Sequence, residues 1–209
     1  DEPSPGTERY CCVQPGDIGR IAFTGKRTDR TYAQIGLDEK KTSHPRGETM
    51  SCIAGIVGAF GKSDAGPIIE RMMASMAYRD EHAAGKAVGE INRFFPDAAG
   101  PNCFFASSTS IFVDTTNRTV VALDGEIYGN PDTSGSPLRN LAVQWKEQGR
   151  DFPRRINGAY TAALWDDAQK TLALVRDHVG CRSLYYAPIK DGIIFASTAA
   201  AIIASGLVN

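Results

Sequence analysis

Between residues 52 and 60 the chain is almost wholly apolar and is broken only by Gly55 and Gly58. A run of that length and composition reads as a buried strand, and the rest of the fold has to be built around it. Ser63 or Asp64 follows as a helix cap, and Ile68, Ile69, Met72, Met73 and Met76 then fall on one broad helical face. A methionine stripe at that spacing is core packing, not a cofactor box. Residues 103–113 and 119–123 read as strands joined by a turn at Thr115-Thr116-Asn117. Ser136 followed by Pro137 marks a helix start, Leu138, Leu141, Ala142 and Trp145 line one side of it, and Gly149 ends it. Residues 156–165, 171–175, 184–187 and 193–196 read as further strands, separated by turns at Asp166-Asp167 and Lys190-Asp191-Gly192, and Thr198 opens a last Ala/Ile-rich helix. The class is α+β, with stacked antiparallel sheets covered by helices as one packing that satisfies the pattern. Periodicity alone does not fix the number of layers.

Composition narrows the function classes. The 209 residues carry 23 basic and 24 acidic side chains, a net charge of −1, so neither nucleic acid nor an anionic membrane is an expected partner. The five cysteines (Cys11, Cys12, Cys52, Cys103, Cys181) form no Cys-x-x-Cys pair, so no metal site and no disulfide framework is expected. A reducing, cytoplasmic setting follows as the simplest expectation. The longest apolar stretch, 193–204, is shorter than the about 20 residues a membrane span needs. The acidic, polar start is unlike a signal peptide. Residues 1–49 differ from the rest: Pro-rich and acidic at first, dense in charge over 26–48, with one short strand-like run at 18–23. They read as a polar leader, disordered or lying upstream of a start at Met50, or alternatively as a docking segment. The chain opens on Asp1 and closes on Asn209 just after an apolar segment, and the expectation is a fragment of a longer protein.

The block Met50-Ser51-Cys52-Ile53-Ala54-Gly55-Ile56-Val57-Gly58 looks like a protein start set inside a longer chain. Further on stand Asp124-Gly125-Glu126-Ile127-Tyr128, then Asn157-Gly158-Ala159-Tyr160 with Ala163-Leu164-Trp165-Asp166. Arg176-Asp177-His178-Val179-Gly180-Cys181-Arg182-Ser183-Leu184-Tyr185-Tyr186 and Phe195-Ala196-Ser197 complete the set. Together these segments resemble the N-terminal glutaminase domain of asparagine synthetases, the class II glutamine amidotransferases. The resemblance covers residues 50–206 or so, and it implies a four-layer αββα sandwich with antiparallel sheets, the N-terminal-nucleophile hydrolase fold. Arg176 and Asp177 are expected to form a local ion pair, and His82 and His178 to be loop or surface residues.

In such a domain the nucleophile is the first residue of the mature chain, and its own α-amine, with a pKa of about 8, serves as the base. The family opens Met-Cys-Gly-Ile-Ala-Gly; here Ser51 holds the cysteine position and Cys52 comes one residue late, on the opposite side of a strand. Serine is the weaker nucleophile, and Ser51 has no free amine while residues 1–50 remain attached. The family's Asn-Gly-Glu-Ile-Tyr-Asn segment supplies oxyanion donors and contacts glutamine, and Asp124, Gly125 and Glu126 match it. Gly125 keeps its backbone donor, but an ionised Asp124 cannot donate and repels a developing oxyanion. The family's arginine for the glutamine carboxylate has Arg93 as its nearest candidate, out of context. The family's Ser-Asp-Thr-Glu segment is matched by Ser134-Gly135-Ser136-Pro137, which lacks the acid, and its His-Arg-Gly-Pro-Asp loop by Tyr78-Arg79-Asp80-Glu81-His82. Four substrate-contacting elements depart together, which points to a scaffold that no longer hydrolyses glutamine.

Relatives of asparagine synthetase that dispense with the cysteine include the β-lactam synthetases and the macrolactam-forming cyclases of lasso peptides. The resemblance therefore implies a degenerate glutaminase domain of an ATP-dependent amide-forming ligase. Its synthetase domain, with a Ser-Gly-Gly-x-Asp-Ser loop and with ATP and Mg, is expected beyond Asn209; no cofactor is expected in residues 1–209. Expected partners are that C-terminal domain of the same chain, a peptide precursor as substrate, and a second copy in a homodimer. Two alternatives stand beside it: an active domain supplying ammonia for asparagine synthesis from Ser51 or Cys52, and a non-enzymatic interaction domain.

Overall fold

The computed structural model describes residues 10–13, 22–23, 51–60, 62–79, 88–90, 101–109, 111–128 and 136–208. Its elements, in order, are β1 (Tyr10–Val13), β2 (Ala22–Phe23), β3 (Ile53–Gly58), α1 (Lys62–Ala74), β4 (Val88–Glu90), β5 (Asn102–Ser107), β6 (Ile111–Asp114) and β7 (Thr119–Tyr128). Then come α2 (Pro137–Gln148), a 3-10 helix (Gly149–Arg155), β8 (Asn157–Asp166), β9 (Thr171–Arg176), β10 (Tyr185–Ile189), β11 (Gly192–Ala196) and α3 (Ala199–Ala204). One sheet runs β2-β1-β9-β8-β7-β6 and the other β10-β11-β3-β5-β4, with every pairing antiparallel.

Three apolar clusters give the layer order, and the two-residue period of the strands generates them. On β3, Ala54 and Ile56 face α1 and α3, meeting Ile68, Ile69, Met72, Met73, Met76, Ala201 and Ile202. Ile53 and Val57, on the other face, meet Val120, Ala122, Ala163, Trp165, Leu172 and Leu174 of the facing sheet. That sheet turns Val121, Leu123, Ala162, Leu164, Ala173 and Val175 outward onto Leu138, Leu141, Trp145 and Phe152 of α2 and the 3-10 helix. The result is helix, sheet, sheet, helix: the expected αββα sandwich, with the methionine stripe in its core. The opening strand is buried on both faces because the helix layer covers one and the facing sheet the other.

The central strands 156–165, 171–175, 184–187 and 193–196 are found within a residue or two of their expected bounds. The helix at Pro137 has Ser136 as its N-cap, and Thr198 caps α3 by accepting the Ala201 N–H at 3.2 Å. Several expectations are corrected. The run 103–113 is two strands in different sheets, because the chain leaves β5 after Ser107 and re-enters the facing sheet at Ile111. β7 continues past residue 123 to Tyr128, since β8 offers partners along its whole length. Ser63 and Asp64 lie inside α1, which begins at Lys62. Gly149 does end α2, with a φ of 57°, but the chain continues at once into the 3-10 helix, which sets Phe152 edge-on against Trp145 at 5.9 Å. In the region 18–23 only Ala22–Phe23 is described as strand, and residues 18–21 lie outside the described residues. Tyr10–Val13, which holds Cys11 and Cys12, forms a strand that the sequence pattern did not reveal.

Arg176 and Asp177 do not form the expected ion pair. The Asp177 carboxylate accepts backbone N–H groups from Val179, Gly180, Cys181 and Arg182 at 2.6 to 3.3 Å. The Arg176 guanidinium donates instead to the carbonyls of Gly180 and Arg182, each at 2.5 Å. Backbone donors lie within reach of a carboxylate at a tight loop, and they win over a neighbouring side chain that has carbonyls of its own to satisfy.

Candidate functional site

Ser51 enters β3 at the end of the space between the two sheets. Alternation places it on the same face as Ile53, while Cys52 falls on the other with Ala54, fully buried in the helix-side cluster. This is the opposed arrangement that strand geometry dictates. Two serines pin the backbone here. Ser108 Oγ accepts the Cys52 N–H at 3.0 Å, and Ser197 Oγ accepts the Ile53 N–H at 2.9 Å.

β7 delivers the other half of the site. Val120 and Ala122 face the inter-sheet core, so Asp124 does as well, and it has no exposed surface. Its neighbour Gly125 has a φ of 104°, and a Cβ there would lie 2.1 Å from the Ala159 carbonyl oxygen, so only glycine fits. The Gly125 N–H donates to Ser51 Oγ at 2.8 Å, and Ser51 Oγ donates to Asp124 Oδ1 at 3.1 Å. Asp124 Oδ2 accepts from Ser197 Oγ at 2.6 Å and pairs with Arg79 Nη2 at 3.4 Å. The Arg79 side chain is 10% exposed, and its Nη1 also donates to the Ser197 carbonyl at 3.3 Å. Side chains from three segments far apart in sequence, at Ser51, Arg79 and Ser197, thus converge on one buried carboxylate of β7.

Three of the residues expected at a site, Ser51, Asp124 and Gly125, are brought together. Glu126 is exposed, and Cys52 points away into the core. Arg93, the segment 80–82 with His82, and residues 134–135 lie outside the described residues. Arg79, Ser108 and Ser197 belong to the site although they had no assigned role. Arg79 stands in the loop already singled out for its lost glycine and proline, and its retained arginine was the sign to follow. Two buried atoms beside the cluster, Arg79 Nε and Thr161 Oγ1, have no hydrogen-bond partner among the described residues; Thr161 faces Asp124 across the β7–β8 ladder.

The arrangement joins a hydroxyl, a backbone donor and a buried carboxylate. Gly125 N–H, the donor that could meet an oxyanion, is committed to the Ser51 hydroxyl. Asp124 brings acceptors, not donors, to the side of the Ser51 hydroxyl. In this chain the Ser51 nitrogen is an amide, joined to Met50. Among the described residues no group of three or more His, Cys, Asp or Glu side chains converges to hold a metal ion, and no helix is long and apolar enough to cross a membrane.

A family model described as a glutamine amidotransferase domain matches residues 103–204, a stretch that includes Asp124, Gly125 and Ser197 but not Ser51. Among curated proteins, "Asparagine synthetase [glutamine-hydrolyzing] 2" of Bacillus subtilis is 31% identical over 97 residues, covering 41% of this chain and 13% of its own length. "Amidase chyE" of Penicillium rubens is 25% identical over 112 residues, 48% of this chain and 17% of its own length. The root asparagine synthetase (glutamine-hydrolyzing) of Pisum sativum is 26% identical over 103 residues, 44% and 18% respectively. The match thus spans less than a fifth of the length of these relatives.

Proposed function

We propose, starting from a chain that carries a glutamine amidotransferase domain of the asparagine synthetase family, that this copy of the domain does not hydrolyse glutamine. It serves as the N-terminal scaffold of an ATP-dependent amide-forming ligase of the β-lactam synthetase or lasso peptide cyclase kind. In such an enzyme a carboxylate is adenylated with ATP and Mg in a C-terminal synthetase domain, and an amine already present on the substrate attacks it. No ammonia is required, so the glutaminase site is free to change. The partners of this reading are the synthetase domain, a peptide precursor and a second copy in a homodimer, in a reducing cytoplasm.

The observation that carries the proposal is the buried Asp124 carboxylate, held by Ser51, Ser197 and Arg79, beside a Gly125 N–H already spent on Ser51 Oγ. Incubation with glutamine, with ammonia and glutamate followed by a coupled assay, tests it: no release above the uncatalysed rate is expected, and sustained turnover would sink the idea. One feature favours a second reading, an active amidotransferase: Ser51 Oγ does sit 2.8 Å from a backbone donor. That reading requires a glutamine-mimicking electrophile to label Ser51 covalently, which peptide mass mapping detects.

A further inference from the structure

β9 differs from every outer strand of the two sheets. Its residues Leu172, Ala173, Leu174 and Val175 are all buried, 1 to 3% exposed, with apolar contacts on both faces. β8 covers one of its edges. A bare second edge would offer a row of unpaired N–H and C=O groups on an apolar strand, a template for pairing with another chain. The other outer strands are guarded. β6 has four residues and ends at Asp114, β4 has three and ends at Glu90, and β10 carries Pro188. β9 has neither proline nor charge before Arg176.

Its protection is β1. Tyr10, Cys11, Cys12 and Val13 pair with Val175, Leu174, Ala173 and Leu172, so each of the four buried residues has a partner. Among the described residues, β2 is the outermost strand of this sheet. We propose that residues 10–13 are a permanent strand of the sheet that carries Asp124 and Gly125, covering the second edge of β9, and that the protein works with its N-terminal extension attached. Ser51 then remains amide-linked to the preceding chain and never presents the α-amine that a terminal nucleophile uses as its base. This second consequence deepens the inert-site reading and rests on it; the assignment of β1 as the strand that covers β9 stands on the pairing alone.

The test uses the full chain with a recognition sequence for a specific protease inserted between residues 26 and 46. After cleavage, native mass spectrometry and gel filtration are expected to find the N-terminal fragment bound one-to-one to the remainder; loss of the fragment overturns the proposal. A second, uncut variant, Cys11→Pro with Cys12→Pro, removes backbone donors from β1. In an antiparallel ladder about half the β9 amides point toward β1. Those are expected to lose hydrogen-exchange protection on the order of ten-fold while β7 amides keep theirs; unchanged protection in β9 also overturns the proposal. Ammonia release from glutamine by the uncut protein would remove the inert-site reading and leave the strand result untouched, so the two failures are distinguishable.

Discussion

Asp124 organises the site. A carboxylate with no exposed surface is tolerated because two hydroxyl donors and one cation surround it: Ser51 Oγ, Ser197 Oγ and Arg79 Nη2. Removing one member of a buried ion pair leaves the other charge uncompensated, at a cost of about 3–5 kcal/mol. Asp124→Ala and Arg79→Ala are each expected to lower the unfolding free energy by about that amount in urea titrations. Losses below about 1 kcal/mol, the level of a solvent-screened surface pair, would show that the pair is not the buried anchor described. Asp124 was legible in the sequence, because it stands where the resembled family has an amide. Its partners were not: Arg79 lies 45 positions away and Ser197 lies 73, and no local pattern joins them.

At the scale of elements, turns and loops are held by carboxylates more than by glycine. Arg118 and Lys170 both adopt positive φ, 52° and 50°, in hairpin turns, a conformation that costs non-glycine residues about 1–2 kcal/mol. Both cations reach Asp167, Arg118 Nη2 at 2.5 Å and Lys170 Nζ at 2.7 Å, so one buried carboxylate ties the β6–β7 turn to the β8–β9 turn. Next door, Asp166 ties β8 to α2 by accepting from Trp145 Nε1 and Lys146 Nζ, each at 2.8 Å. In the loop after β9, burial pushes the Asp177 carboxyl up. The backbone N–H groups of Cys181, Gly180, Arg182 and Val179 outweigh that and hold it below the ordinary carboxylate range. A carboxyl depressed in the folded state contributes stability that is present above its unfolded pKa of about 3.9 and is lost as pH falls through the folded value. Asp177→Asn is therefore expected to cost about 1.5–3 kcal/mol at pH 7. The difference from the parent should shrink below about pH 4. A gap that stays constant to pH 2, followed by chemical denaturation at each pH, would refute the assignment.

For the molecule as a whole, the four-layer packing sorts the cysteines. Cys52 and Cys103 are buried, Cys52 under the helices and Cys103 between the sheets, while Cys181 is exposed on the Asp177 loop. Burial, with Asp167 adding to it, pushes the Cys103 thiol well up, away from the reactive thiolate. A thiol reagent applied to the native protein is expected to modify Cys181 and to reach Cys52 and Cys103 only on unfolding, as read by peptide mass mapping. Rapid native modification of Cys52 would place it outside the core and reopen the active-cysteine alternative.

What the sequence determined by itself is what short-range chemistry can encode. Short apolar runs bounded by turn residues marked the central strands, the three- and four-residue spacing of Ile68, Ile69, Met72, Met73 and Met76 marked a core helix, and Ser136-Pro137 and Thr198 marked helix starts. The motifs around Ser51 and Asp124 pointed to the family and to the altered site. Tertiary structure alone decided which strands are neighbours, where the chain changes sheets between Ser107 and Ile111, and that β1 closes the edge of β9. It alone decided that Arg79 and Ser197 meet at Asp124, and that Ser197 holds Ile53 from 144 positions away. The physical reason is the same throughout. A strand's face is set by its own residues, but its partner is set by hydrogen bonds and packing between segments that are neighbours only once the sandwich has formed.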